Sequence, residues 1–211
     1  MKVYIDCDVA VKFAQWGMLG RLTNHLVKQG RAELYTVSTL KYRFKLAQPD
    51  KAAAMLGSIA AVHELTSFVA ACKPAQGHST AVAEALAAVP SIDVGEAALF
   101  AAAGHYDAAL VDTGDKRALR AVGTLPSSSK AHAALSGKLA CLEQTVHYLI
   151  GRWTFPVVNT AVGSCANADT STTSCFKPGT EKEVLAALQG RIDELATDCG
   201  LLAPKPFSWV P

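Results

Sequence analysis

The sequence has no uninterrupted hydrophobic run long enough to cross a bilayer. Its most apolar stretches, such as Ala97 to Ala103, are short and lie between charged residues. No apolar leader is expected either: Lys2 is followed by a strand-like run that Asp6 and Asp8 interrupt at once. There is no CxxC pair. Six cysteines scattered over 211 residues without a leader predict reduced thiols in a cytoplasmic protein rather than a disulfide scaffold. Cys165 and Cys175 share a segment with no histidine nearby, which argues against zinc. Ser136-Gly-Lys138 lacks the spacing of a P-loop. No aromatic-rich basic run suggests stacking on single strands. What is present is a chain half hydrophobic and 18% charged, enough to bury the core of one domain, alone or with an appendage.

The formal net charge of +2 conceals a pattern. Residues 1–60 carry nine Lys/Arg against four acids, and residues 116–152 carry six against one. Between them, residues 78–115 hold six acids (Glu84, Asp93, Glu96, Asp107, Asp112, Asp115) and no Lys or Arg at all. An acidic block flanked by basic segments calls for a cause.

Lys2–Asp6 reads as a buried strand, and Glu33–Val37 as a second. Ala108–Asp112 and Lys138–Leu142 read as two more. Amphipathic or Ala-rich helices are expected over 11–29, 39–47, 50–72, 79–88, 116–122 and from 142 to about 150. Asp93-Val-Gly-Glu96 and Thr180-Glu-Lys-Glu183 look like capping boxes, opening helices to about Ala103 and Gly200. Lys73-Pro74 reads as a breaker, residues 159–180 as irregular, and the tail with Phe207 and Trp209 as extended on the body. Strands alternating with helices imply an α/β fold with a mainly parallel sheet, whose ligands bind beyond the carboxyl ends of the strands. Asp6, Asp112 and Asp115 all stand at such ends.

Carboxylates gathered at one rim repel one another unless a cation is present. Mg2+ takes oxygen ligands, and can activate water and stabilise charge developing on a phosphoryl group. Basic flanks would hold a phosphate backbone. Charge and order thus point to a metal-dependent nuclease. Thr113 and Ser38 could orient a phosphate or cap helices. Cys7, between two acids, is a poor nucleophile.

Val3-Tyr-Ile-Asp6-Cys-Asp8 resembles the first-strand motif of PIN-domain proteins, a family of metal-dependent ribonucleases. Gly95-Glu96-Ala-Ala-Leu-Phe-Ala-Ala-Ala103 is similar to the family's acidic helix, and Leu110-Val-Asp-Thr-Gly-Asp115-Lys-Arg-Ala-Leu-Arg120 to its strand-turn-helix segment. Gly137-Lys-Leu-Ala-Cys-Leu-Glu143-Gln looks like its last strand and helix. The resemblance spans residues 1–150 and implies a three-layer α/β/α domain with about five strands. Residues 151–211 would then be a C-terminal extension of a loop, one helix and an extended tail.

The resemblance also implies that Asp6, Glu96 and Asp115 are catalytic and hold Mg2+ or Mn2+. Asp8, Asp112 and Thr113 would support them, and Lys41, Arg43, Lys116, Arg117 and Arg120 would contact RNA. It brings an antitoxin-like protein or a second copy of the chain as candidate partners. One departure stands out: Ser38-Thr-Leu-Lys-Tyr-Arg-Phe-Lys45 has no carboxylate where the family has another acid, with Glu33 and Glu64 as the only substitutes in view. An impaired PIN-like module that binds RNA or protein is therefore the alternative. A further one follows from Asp6-Cys-Asp8, which resembles the DxD of haloacid-dehalogenase-type phosphatases; that scheme gives Glu96 no role.

Overall fold

The computed structural model describes residues 1–76, 80–177 and 179–210. The expected start of a helix at Ser79 lies outside them. The chain runs β1 (Lys2–Ile5), α1 (Cys7–Gln15), α2 (Leu19–Asn24) and a π-helical turn (His25–Gln29) into β2 (Glu33–Thr36). Then follow α3 (Leu40–Arg43), α4 (Pro49–Leu56), α5 (Ile59–Ala71), β3 (Lys73–Pro74), α6 (Thr80–Ala87) and α7 (Val94–Gly104). After β4 (Ala109–Thr113) come α8 (Lys116–Gly123), α9 (Lys130–Leu135), β5 (Leu139–Cys141) and α10 (Leu142–Trp153). The C-terminal part holds α11 (Phe155–Ser164), α12 (Thr170–Ser174) and α13 (Glu181–Cys199).

The five strands form one parallel sheet in the order β3-β2-β1-β4-β5. Side chains alternate across it as a pleat requires. Val3, Ile5, Leu34, Leu110 and Ala140 face a core built with α1, α2, α5, α10 and α11. Tyr4, Ala109, Val111, Leu139 and Cys141 face the opposite core, with α7, α8 and α9. The result is the three-layer α/β/α sandwich expected for a sheet buried on both faces.

Local sequence explains where the long expected helices divide. Gly17 and Gly57 adopt φ of +66° and +85°, which ends α1 early and splits the 50–72 segment into α4 and α5. Ser58 then caps α5 by accepting from the Ala61 amide. Lys73-Pro74 is a two-residue edge strand rather than a simple breaker; proline is tolerated there because an edge strand leaves one row of amides unused.

The segment 159–180, expected to be irregular, instead carries the end of α11 and all of α12. Polar sequence misled the reading. Val158 and Val162 are buried on one face of α11, and Asp169 caps α12 through the Thr172 amide. The part of the chain after residue 150 therefore holds α11, α12 and α13, not one helix. It contributes to both cores: Val184 and Leu188 of α13 enter one, Ile192, Leu195 and Cys199 the other. The tail follows the sheet edge, with Leu202 bridging Leu139 in parallel and the Ala203 amide donating to the Leu139 carbonyl at 2.7 Å. Among the described residues, no single helix is long and apolar enough to cross a membrane.

Candidate functional site

The chain builds outward from β1 in two directions, so the crevice between β1 and β4 lies where the strand order reverses, the usual ligand position in such sheets. Ile5 pairs with Asp112 across it, and the Asp6 amide donates to the Asp112 carbonyl at 3.0 Å. Asp6 thus leaves β1 directly into α1 as its N-cap. Its Oδ1 accepts from the Cys7 amide at 2.7 Å, and its Oδ2 from Thr113 Oγ1 at 3.0 Å. Thr113 also accepts from the Asp115 amide at 3.2 Å, so it links the two strand ends.

Glu96 and Asp115 are likewise built on helix starts. Asp93 and Glu96 form a reciprocal capping box on α7, as the sequence predicted, each accepting the other's amide at 2.8 Å. Asp115 caps α8 through the Arg117 and Ala118 amides and pairs with the Arg117 guanidinium at 3.0 Å. Helix starts suit carboxylates because unpaired amides and the helix dipole favour negative charge.

A cleft of about 370 Å3 opens at this edge. It is lined by Asp6, Cys7 and Arg43 together with Val37, Thr39 and the start of α7 from Asp93 to Glu96. Burial, with Asp8 and Asp93 nearby, pushes Asp6 up to about 6 against the pull of Thr113 and the Cys7 amide. Glu96 is raised to about 7, first by burial and then by Asp93, Asp115 and Asp6. Asp115 moves the other way, held below its usual range by Arg117 and two amides despite partial burial. Behind the cleft, Asp112 is wholly buried and pushed up to about 8 by desolvation, Asp6 and Glu143. Its Oδ2 accepts from Thr145 Oγ1 at 2.7 Å, while Oδ1 has no hydrogen-bond partner among the described residues. Burial and Asp6 raise the Cys7 thiol to about 12, so it is inert at neutral pH.

Two lysines answer the remaining acids. Lys12, nearly buried, lies 2.6 Å from Asp8 and 2.6 Å from Asp169 of the C-terminal segment. Gly114 makes room for this group, since a Cβ there would stand 2.2 Å from Asp8 Oδ2. Lys116 bonds to the buried Glu143 and to Ser171. Asp169, Ser171 and Thr172 thus bring the C-terminal segment over the rim beside β4 and β5.

The expected RNA-contacting residues separate. Arg43 lines the cleft and Arg117 is exposed on Asp115. Lys41 stands over the Tyr42 ring, 5.0 Å from its centroid. Lys116 is turned onto Glu143, and Arg120 joins α8 to α13 through Glu194 and Asp198. Neither substitute for the absent acid reaches the cleft. Glu33 begins β2 at the opposite end of the parallel sheet and pairs with Lys2, while Glu64 accepts the Leu19 and Gly20 amides. Among the described residues, no group of three His, Cys, Asp or Glu side chains converges as a metal cage. Asp6 and Glu96 fit the sparser set that Mg2+ accepts, one or two carboxylates plus water.

Sequence reasoning did not single out Lys12, Asp93 as a cleft residue, Thr39 or Asp169. Lys12 stands four residues after Asp8, the spacing of a helical ion pair, and so carried a signal. Asp169 carried none, being more than 150 residues away in sequence. No protein-family model matches the chain, and neither does any curated protein or solved structure.

Proposed function

We propose that this protein is a divalent-cation-dependent ribonuclease, with its reaction centre in the cleft between β1 and α7. The observation that carries this reading is that Asp6 and Glu96 line one cleft with Arg43, both carboxyls raised first by burial and then by neighbouring carboxylates. Carboxylates crowded in this way favour a cation between them. Asp6 and Glu96 would hold Mg2+ or Mn2+, which when bound supplies Lewis acidity and neutralises charge on a phosphodiester. Arg43 binds the phosphate oxygens of the substrate. Thr113 and the Cys7 amide fix the Asp6 carboxylate, and the α7 capping box fixes Glu96, so neither needs to reorganise. Because burial raises the proton affinity of both carboxyls, a cation would have to displace their protons, and its binding should strengthen as pH rises. The PIN-like resemblance of the 95–120 segment supports the same substrate class.

The test is incubation of the full chain with Mn2+ and a mixed-sequence single-stranded RNA. Cleavage is expected, and should disappear with EDTA, with Asp6→Asn and with Glu96→Gln. RNA bound but left intact in Mn2+ would replace this reading with the second one, a non-catalytic RNA-binding module. That alternative draws on Lys12 and Lys116, which already neutralise acids along the rim.

A further inference from the structure

On the far side of α10, away from the acidic rim, the structure holds a larger cavity of about 420 Å3. One wall is α10 with His147, Tyr148 and Arg152, a second is α13 with Gln189 and Ile192, and the third is the tail from Pro204 to Ser208. Its size falls within the range of small-molecule sites, and its walls mix apolar surface with a few polar groups.

The tail wall is fixed at both ends. Before it, the Ala203 amide donates to Leu139 and the Ala203 carbonyl accepts from Gln144 Nε2, each at 2.7 Å. After it, the Arg152 guanidinium donates to the Val210 carbonyl at 2.8 Å. Between the anchors, Phe207 is buried and its ring lies 4.9 Å from Tyr148, which is itself bonded to His25 at 2.8 Å. Pro204 and Pro206 restrict the backbone further. The cavity is therefore formed before any ligand arrives, which lowers the entropy lost on binding.

Its electrostatics are one-sided. Arg152 and Lys205 line the cavity with His147, and among the described residues no Asp or Glu does. Neither Arg152 nor Lys205 forms an ion pair among the described residues. Burial lowers the proton affinity of His147, which favours the neutral ring, a donor at one nitrogen and an acceptor at the other. Tyr148, Phe207, Ile192 and the two prolines offer a flat apolar bed beside these cations.

We propose that the cavity between α10, α13 and the C-terminal tail is a binding site for a small organic anion with an aromatic or apolar body. Its carboxylate, sulfonate or phosphate group meets Arg152 and Lys205, and its body lies against Tyr148, Phe207 and Ile192. The site is separate from the β1/α7 cleft and does not depend on the reaction assigned there.

The test uses 1-naphthalenesulfonate as the anionic probe and 1-naphthalenemethanol as its neutral counterpart. Both are titrated into the full chain and followed by backbone amide shifts in heteronuclear NMR. Saturable binding of the sulfonate is expected, with shifts grouped in 144–152, 189–192 and 203–210. The neutral probe should bind about tenfold more weakly or worse, the scale of one charge-assisted hydrogen bond. Lys205→Ala, on an exposed side chain outside any helix, should produce a similar loss for the sulfonate and none for the alcohol. Arg152→Met should also lose sulfonate binding, but it removes a tail anchor, so Lys205→Ala decides. Equal binding of the two probes, shifts outside these segments, or no effect of Lys205→Ala would overturn the proposal.

Discussion

Asp112 provides a sharp test of the electrostatics at the strand ends. Its carboxyl is fully buried, satisfied at one oxygen by Thr145 and orphaned at the other, and its proton affinity is raised until it titrates near about 8. In an unfolded chain the same group titrates near ~4. Between those values the native protein holds a proton that the unfolded chain has released. The contribution of Asp112 to stability is therefore greatest below about pH 4, falls as pH rises, and levels off above about pH 8. The slope from one such group approaches ~1.4 kcal/mol per pH unit, so from pH 5 to pH 8 its upper limit is about 4 kcal/mol. Asp112→Asn removes the titration while keeping an oxygen for Thr145 and placing an amide where the orphaned oxygen stood. The variant should match the wild type near pH 5 and exceed it by about 1–3 kcal/mol at pH 8, allowing for relaxation around a buried charge. Urea unfolding in EDTA at pH 5, 6.5 and 8 measures this directly. Asp6 and Glu96, raised to about 6 and about 7, should leave a residual slope of the same sign in the variant. A variant less stable than wild type at pH 8, or a difference independent of pH, would show that Asp112 is not a buried, proton-holding acid.

Other expectations concern the rim and the attachment of the C-terminal segment. Lys12→Met leaves Asp8 and Asp169 facing each other without a cation and should destabilise by about 2–4 kcal/mol, less than a fully buried pair because Asp8 is partly exposed. Adding Asp169→Asn should recover about half of that loss, read from a double-mutant cycle in urea. Gly123→Ala would place a Cβ 2.6 Å from the Asp198 carbonyl oxygen and 2.8 Å from the Cys199 Cα, backbone atoms that cannot swing aside. It should loosen α13 from α8 at a cost of about 1–3 kcal/mol, visible as faster hydrogen exchange along α13. Mn2+ at a hundred times its Kd should raise the Tm of the wild type by about 5–10 °C. The shift should be absent in Asp6→Asn and in Glu96→Gln, and its persistence there would place the ion elsewhere.

Local pattern made much of the sheet and two helix starts legible. Short, largely apolar runs placed β1, β2, β4 and β5, because a strand covered on both faces is apolar over most of its length. Asp93-Val-Gly-Glu96 and Thr180-Glu-Lys-Glu183 marked the starts of α7 and α13, because capping geometry is a property of four consecutive residues. The carboxylates at strand ends were equally visible, since Asp6, Asp112 and Asp115 each follow or close an apolar run.

Relations between distant segments were beyond such reading. Nothing local to Asp169 announces Lys12 as its partner, and nothing in a polar run of Ser and Thr announces a helix whose Thr172 is buried against Glu143. The resemblance implied that Lys116, Arg117 and Arg120, just after Asp115, contact RNA. Tertiary packing instead turned Lys116 inward to neutralise a wholly buried carboxylate and joined Arg120 to α13. The sequence by itself determined an α/β chain with acids at its strand ends, because strand burial and helix capping depend on neighbours in the chain. Which acids face an open cleft and which are already answered by a lysine was decided only by the tertiary structure, because charge pairing depends on distance in space.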